Sequence, residues 1–376
     1  MLPQPSGPVP TPEQVLELDA EYLAGDVTGY FSSRIDALIA WHDAPTGADF
    51  SSGLGAQVAR LLSATPEDLA DTPERDRQLQ VAVDAFALRQ HVAETLVRFL
   101  EARVALIDTE AGKESLWFTV ATGPTPVADA VESMRAGLSR TDRPVFAELM
   151  FLADVLANPN VSAVNDALRL TNEWINHACI LLTRDDLPLA SGNNKSKHGM
   201  AIRHVDDERV TLVASPLPDP ARVPLSAVDG TAGRSLDLVD RPVMKILTAK
   251  PTKRGTVYSK GSDQVWIILD AASLLAEATV LNEVLRAAMH TAAFEHRART
   301  GVPLQVVPFP DLTKLPQPSA VLKGRHVTGL RLPVTEPTRL PAIVLRRVGD
   351  ERTLSFKGPA VYGSVVADEE SDTSTR

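Results

Sequence analysis

Near residue 205 the spacing of apolar residues changes period, and that change limits the chain to a mixed architecture. From Thr11 to about Arg203 apolar positions recur at intervals of three and four, whereas from about Glu208 onward short runs of β-forming residues alternate with proline and glycine clusters. A period of 3.6 buries one stripe of a helix and a period of two buries one face of a strand, so one layer type cannot serve both halves. The expected fold class is therefore α+β, an N-terminal helical bundle followed by a smaller β-rich domain crossed by one long helix. The expected boundaries are 1–10 for a Pro-rich disordered N-terminus, 11–205 for the bundle, 206–366 for the α+β domain and 367–376 for a disordered acidic tail.

Helix starts are written clearly in the first half. Thr11-Pro12-Glu13-Gln14 combines an N-cap threonine, proline at the first helical position and a glutamine able to complete a capping box. Helical stretches follow around Tyr30–Trp41 and Leu54–Leu62. Thr65-Pro66-Glu67-Asp68 and Thr72-Pro73-Glu74 repeat the start signal, so a single turn precedes a long helix running to about Asp108. Its inward face, including Leu79, Phe86, Val92, Leu96 and Phe99, is interrupted at Arg89 and His91, which sit either inside the bundle or at its rim. Leu116–Val120 reads as a strand or a buried connector, and helices are expected near Val127–Gly137 and Arg143–Ala157.

The central element of this half is a helix beginning at Ser162. Val164, Leu168, Thr171, Ile175, Ala178 and Leu182 draw a continuous apolar stripe. Asn165, Arg169, Asn172 and Asn176 form a polar ladder on another face, either a solvated surface or the wall of a partly buried groove. Glu173 precedes His177 by four residues, a spacing at which a carboxylate can orient an imidazole. After Pro188, Ser191-Gly192-Asn193-Asn194 has the composition of an exposed turn. Lys195, Lys197, His198, Arg203 and His204 then concentrate positive and titratable groups, a small anion-binding site if they converge.

A long helix, a connecting segment and the Asn-x-x-x-His element Asn194-Lys195-Ser196-Lys197-His198 resemble the last two helices of HEPN-type all-α domains, over about residues 75–204. Members of that superfamily are often RNA-cleaving toxins, antiphage proteins or RNA-processing factors. The resemblance implies an RNA-binding or RNA-cleaving role, host defence included, with His198 as general acid or base and Asn194 and Lys197 holding or neutralising a phosphate. The family's catalytic signature, an arginine and then a histidine after a gap of four to six residues, is absent. Asn194 stands where the arginine belongs, and only three residues separate it from His198.

Beyond residue 205 strands are expected at Arg209–Ala214, Leu304–Val307, Val327–Leu332, Ala342–Val348 and Arg352–Phe356, the last two as a hairpin. Gly255–Ser259 and Gln264–Leu269 read as another hairpin. Ala271–Arg299 is the second long helix, with Leu274, Ala278, Leu281, Leu285, Ala288 and Ala292 in register for packing on a sheet or a neighbouring subunit. Glu295, His296, Arg297 and Arg299 close it, cations that suit the helix dipole. The stretch 241–260 holds six Lys and Arg residues, Lys250, Lys253 and Arg254 among them, and no acidic residue. Residues 1–190 carry 13 Lys+Arg against 28 Asp+Glu, so the basic second half either faces a polyanion or neutralises the first.

Standard catalytic patterns are missing: there is no phosphate-binding loop, no H-E-x-x-H, no paired-cysteine motif and no G-x-S-x-G elbow. The expected cofactor is none and the expected metal is none. One cysteine, Cys179, permits no internal disulfide and reads as a buried hydrophobe in a reducing compartment. No apolar run reaches the length of a bilayer, so a cytoplasmic protein is expected. Two readings of function stand: a non-catalytic interaction or scaffold protein with a protein partner or a second copy of itself, favoured by the missing signature, and an HEPN-like RNA-directed protein.

Overall fold

A computed structural model describes residues 9–43, 53–65, 74–124, 126–157, 161–184, 187, 189–196, 202–206, 208–213, 235–239, 241–248, 252–254, 257–259, 263–322, 328–333, 342–347, 350–357 and 360–362. Helices come first: α1 (Pro12–Ala24), α2 (Val27–Asp43), α3 (Gly53–Leu61), α4 (Glu74–Ala105), α5 (Leu116–Thr122), α6 (Val127–Leu138), α7 (Val145–Met150), α8 (Ala153–Leu156), α9 (Val161–Thr183) and α10 (Leu189–Ser196). Strands β1 (Ile202–Val205), β2 (Glu208–Val213), β3 (Ser235–Val239), β4 (Val243–Thr248), β5 (Thr252–Arg254), β6 (Val257–Ser259) and β7 (Asp263–Ile268) follow. The long helix α11 (Ala271–Thr300) then precedes β8 (Gly329–Pro333), β9 (Ala342–Arg347), β10 (Asp350–Lys357) and β11 (Ala360–Tyr362). The chain is α+β, as its periodicity requires. Residues 1–10 and 367–376 lie almost wholly outside the described residues, as do the turn at Gly349 and the start signals at Thr72 and Pro66.

The chain divides into two compact units, each assembled from three segments. The first comprises Met1–Asp36, Leu88–Arg184 and Leu275–Val321, and its described elements are helical. The second comprises Ala37–Ala87, Asp185–Leu274 and Leu322–Arg376 and holds all the described strands. Composition suggests a single cut near 205; instead most of α11 groups with the helical unit, and the first turns of α4 group with the strand-bearing unit.

In the helical unit α1 begins as expected, Thr11 accepting from the Gln14 N–H while the Gln14 side chain accepts from the Thr11 N–H at 2.9 Å. Leu116–Val120 is neither strand nor connector: Ser115 caps a helix there, its hydroxyl accepting from the Phe118 N–H at 3.2 Å. The helix expected at Arg143–Ala157 is broken into α7 and α8 at Phe151, whose backbone is extended. The expected strand at Leu304–Val307 does not form. Leu96, Phe99 and Leu100 of α4, Trp174 and Ile175 of α9 and Leu281 and Leu285 of α11 are fully buried. The expected stripe of α11 is buried throughout, yet Glu277, Asn282 and Thr291 on its other sides are buried too, so this is an interior helix rather than an amphipathic one.

The strand-bearing unit has a five-stranded sheet ordered β1-β4-β7-β8-β11, a four-stranded sheet ordered β10-β9-β2-β3 and the pair β5-β6, antiparallel in every pairing. The hairpin of β9 and β10 forms. The hairpin expected between Gly255–Ser259 and Gln264–Leu269 does not, because β6 pairs with β5 while β7 is claimed on both edges by β4 and β8. The exposed turn expected at Ser191–Asn194 is helix α10, with Gly192 and Asn193 buried; a Cβ at Gly192 would lie 2.8 Å from the Ile246 tip, so glycine here serves close packing on the sheet. Val243–Ile246 is buried at every position, and Lys245 is accommodated by an ion pair to Glu208 and by lying 3.7 Å from the ring centroid of Trp266.

Gly329 of β8 sits against the neighbouring strand so closely that a Cβ would come within 2.6 Å of the Trp266 carbonyl oxygen and 2.9 Å of both Leu187 methyl groups. Backbone cannot yield as a side-chain tip can. Gly329→Ala is expected to destabilise the protein by about 1–3 kcal/mol, measured by denaturant unfolding with an unchanged m-value.

Candidate functional site

Helix α9 supplies most of the candidate residues, and the structure sorts them by face. Thr171, Trp174, Ile175, Ala178 and Cys179 are buried, while Asn165, Arg169, Asn172 and Asn176 are exposed. Arg169, Asn172 and Asn176 line an open cavity of about 390 Å3 together with Arg135 and Ser139 of the α6 region, Phe146 of α7 and Leu168. Asn165 is not among the residues lining this cavity. Arg169 donates to Glu173 at 2.7 Å and lies 4.0 Å from Asp166, so its charge is answered on its own helix. Burial raises the Cys179 thiol above its ordinary value, with nearby Arg135 opposing, which keeps it an inert hydrophobe.

Glu173 pairs with Arg169 and not with His177. The imidazole turns inward instead, placing Nε2 2.9 Å from Oε2 of Glu277 on α11. The same carboxylate receives Arg89 Nη1 of α4 at 3.2 Å on Oε2 and 3.4 Å on Oε1. Glu277 has no exposed surface, and the Arg89 and His177 side chains are 6% and 13% exposed. Of the two interruptions in α4, Arg89 is thus the interior one, and His91 is exposed with its ring edge-on to Phe31 at 5.0 Å. Trp174 closes the cluster, edge-on to His177 at 5.4 Å, with its Nε1–H donating to the Pro316 carbonyl at 2.7 Å.

The remaining sequence candidates belong to the other unit. Asn194 is exposed on α10, and Lys195 Nζ donates to the Leu247 carbonyl at 2.8 Å. Arg203 is exposed on β1, and the neighbouring His204 is half-buried with an Nε2 that has no hydrogen-bond partner. His198, Lys197 and Lys250 lie outside the described residues, as do the side chains of Lys253 and Arg254, whose backbone forms β5.

A second concentration of polar groups, not marked by sequence spacing, lies in the helical unit. A cavity of about 150 Å3 is lined by Asp19 of α1, Arg103 of α4, Arg143, Glu148 of α7 and Glu295, His296 and Arg299 of α11. His296 is not an exposed cation at the end of a helix; it is nine-tenths buried, and its Nε2 has no hydrogen-bond partner. Arg103, its side chain 11% exposed, is held below its ordinary value by desolvation, with Glu295 opposing at 3.0 Å. Burial, aided by the Asp19 carboxylate, pushes the neighbouring Tyr22 hydroxyl up to about 12.

No protein-family model matches the chain, and no curated protein or solved structure shows significant similarity to it. Among the described residues no group of three or more His, Cys, Asp and Glu side chains is placed to hold a metal ion, and no helix is long and apolar enough to cross a membrane.

Two measurements test these placements. Glu277→Ala leaves Arg89 buried without its carboxylate and is expected to cost about 3–5 kcal/mol in unfolding free energy, while Arg89→Met with Glu277→Leu costs far less than the sum of the single changes. Burial holds both His204 and His296 below their ordinary value, with Asp84 and Asp19 opposing respectively. The unfolded chain therefore takes up protons first as pH falls below about 6.5, and stability decreases from there down through the folded values. Unfolding curves between pH 7.5 and 5 are expected to show that loss, and His296→Gln to remove part of its slope.

Proposed function

We propose that the chain is a non-catalytic interaction protein of the cytoplasm, presenting the outer face of α9 and the adjoining α6 region to a protein partner. The observation that carries this reading is the open cavity bordered by Arg135, Arg169, Asn172 and Asn176 over the apolar Leu138, Phe146 and Leu168. A polar rim around an apolar floor is the anatomy of a docking surface. Its groups include amides, which donate and accept hydrogen bonds, and guanidinium ions, which only donate, and neither exchanges protons near neutral pH. The helix's own histidine, the natural proton-transfer group, is turned to Glu277 inside the unit. Asp166 and Glu173 beside Arg169 weaken the attraction for a polyanion, which favours a protein over RNA. The single cysteine, buried and reduced, fits a reducing compartment.

Asn172→Glu with Asn176→Glu alters this face at exposed positions, where substitutions usually change stability by under about 0.5 kcal/mol. A partner, or a second copy of the chain, captured by the wild type and reduced about tenfold by the double variant is the expected result in quantitative cross-linking and light scattering. RNA retained at low salt, lost steeply as salt rises and lost in the same variant would replace this reading with the HEPN-like one. Equal capture by wild type and variant would remove α9 from the interface.

A further inference from the structure

The cavity beside Asp19 and His296 has an uneven charge balance. Arg103 and Arg299 both reach Glu295 at 3.0 Å, and Arg143 is answered by Glu148 and by Asp108 at 3.5 Å. The three cations of the wall are therefore paired within it. Among the described residues no cation lies within ion-pair distance of Asp19. It is nine-tenths buried, and its two hydrogen bonds, from Ser115 Oγ at 2.7 Å and the Trp117 N–H at 3.2 Å, both fall on Oδ1. His296, also nine-tenths buried, lines the same wall. Leu16, Leu23 and Leu149 are among its apolar lining residues, and Glu110 and Glu114 are exposed residues of it.

With both hydrogen bonds on Oδ1, the other carboxylate oxygen of Asp19 is left open to a further donor. The group that fits is one with positive charge and several N–H donors in a small volume, followed by an apolar stem. We propose that this cavity binds a small aliphatic ligand through a primary ammonium group, which donates to Asp19 Oδ2 and sits against the His296 ring while its alkyl chain lies against the apolar lining. An ammonium has three donors, enough for the Asp19 carboxylate and for water. The volume of about 150 Å3 suits a chain of a few carbons. With Glu110 and Glu114 in the lining, a second ammonium at the far end of the chain strengthens binding, so a short diamine is preferred to the monoamine.

The test uses the full chain, with n-butylammonium, 1,4-diaminobutane and butyrate as probes, followed by calorimetry and by the imidazole nitrogen signals of His296. The expected result is saturable binding of both amines, tighter for the diamine, a shift of the His296 signals and no binding of butyrate. Asp19→Asn keeps an acceptor for Ser115 and Trp117 but loses the charge, and is expected to weaken amine binding about tenfold or more. His296→Ala leaves the Asp19 hydrogen bonds intact and is expected to weaken it as well, so it decides the matter should Asp19→Asn fail to fold. Butyrate binding as tightly as the amines, amine binding unchanged in either variant, or no binding of the amines at all would overturn the proposal.

Discussion

Everything in the helical unit depends on where Glu277 can go. A carboxylate withdrawn completely from water carries a desolvation cost of several kcal/mol, recovered only when cations and donors meet it in good geometry. Arg89 comes from α4, His177 from α9 and Glu277 from α11, so a single charge ties together three helices distant in sequence. Apolar surfaces alone tolerate sliding by a turn; this cluster does not, since a one-turn shift of α11 would leave both the acid and the guanidinium stranded. Trp174, bonded to the Pro316 carbonyl, extends the same tie to the segment that follows α11.

The strand-bearing unit solves a similar problem differently. Lys245 lies in a stretch buried at every position, and it is met by the Glu208 carboxylate and by the face of Trp266, its direct partner on the neighbouring strand. The aromatic face supplies attraction without a second desolvated charge. In both units a buried ion pair is thus made across elements, while α9 turns its amides outward.

Legibility followed the local character of each signal. The capping box at Thr11, the two long helices and the β9–β10 hairpin were readable because a few neighbouring residues decide them. The turn chemistry of Ser191–Asn194 misled: Gly192 is present because Ile246, Ile267 and Met244 crowd it, a reason held entirely in distant residues. Strand pairing of β7 was misread for the same reason, since two better partners exist elsewhere in the chain. At the site, the face of the ladder was visible in its spacing, and the structure brings Arg169, Asn172 and Asn176 to one cavity. The partner of His177 was not, because Glu173 at four residues is the local guess and Glu277 at a hundred is the actual neighbour. Asp19 and His296 share a wall that no spacing rule connects.

The division of the chain into units of three segments each has a consequence for biosynthesis. The helical unit needs Leu275–Val321 before it can close, and the strand-bearing unit needs strands beyond residue 322. The middle segment of the strand-bearing unit is made before the helical unit can close, so the leading helices leave the ribosome long before their partners exist. α4 and α9 would emerge with Phe99, Leu100, Trp174 and Ile175 uncovered and with Arg89 and His177 still lacking the acid that joins them. Such a chain must close long loops before its decisive contacts form, which slows folding and leaves apolar helix faces open to aggregation meanwhile.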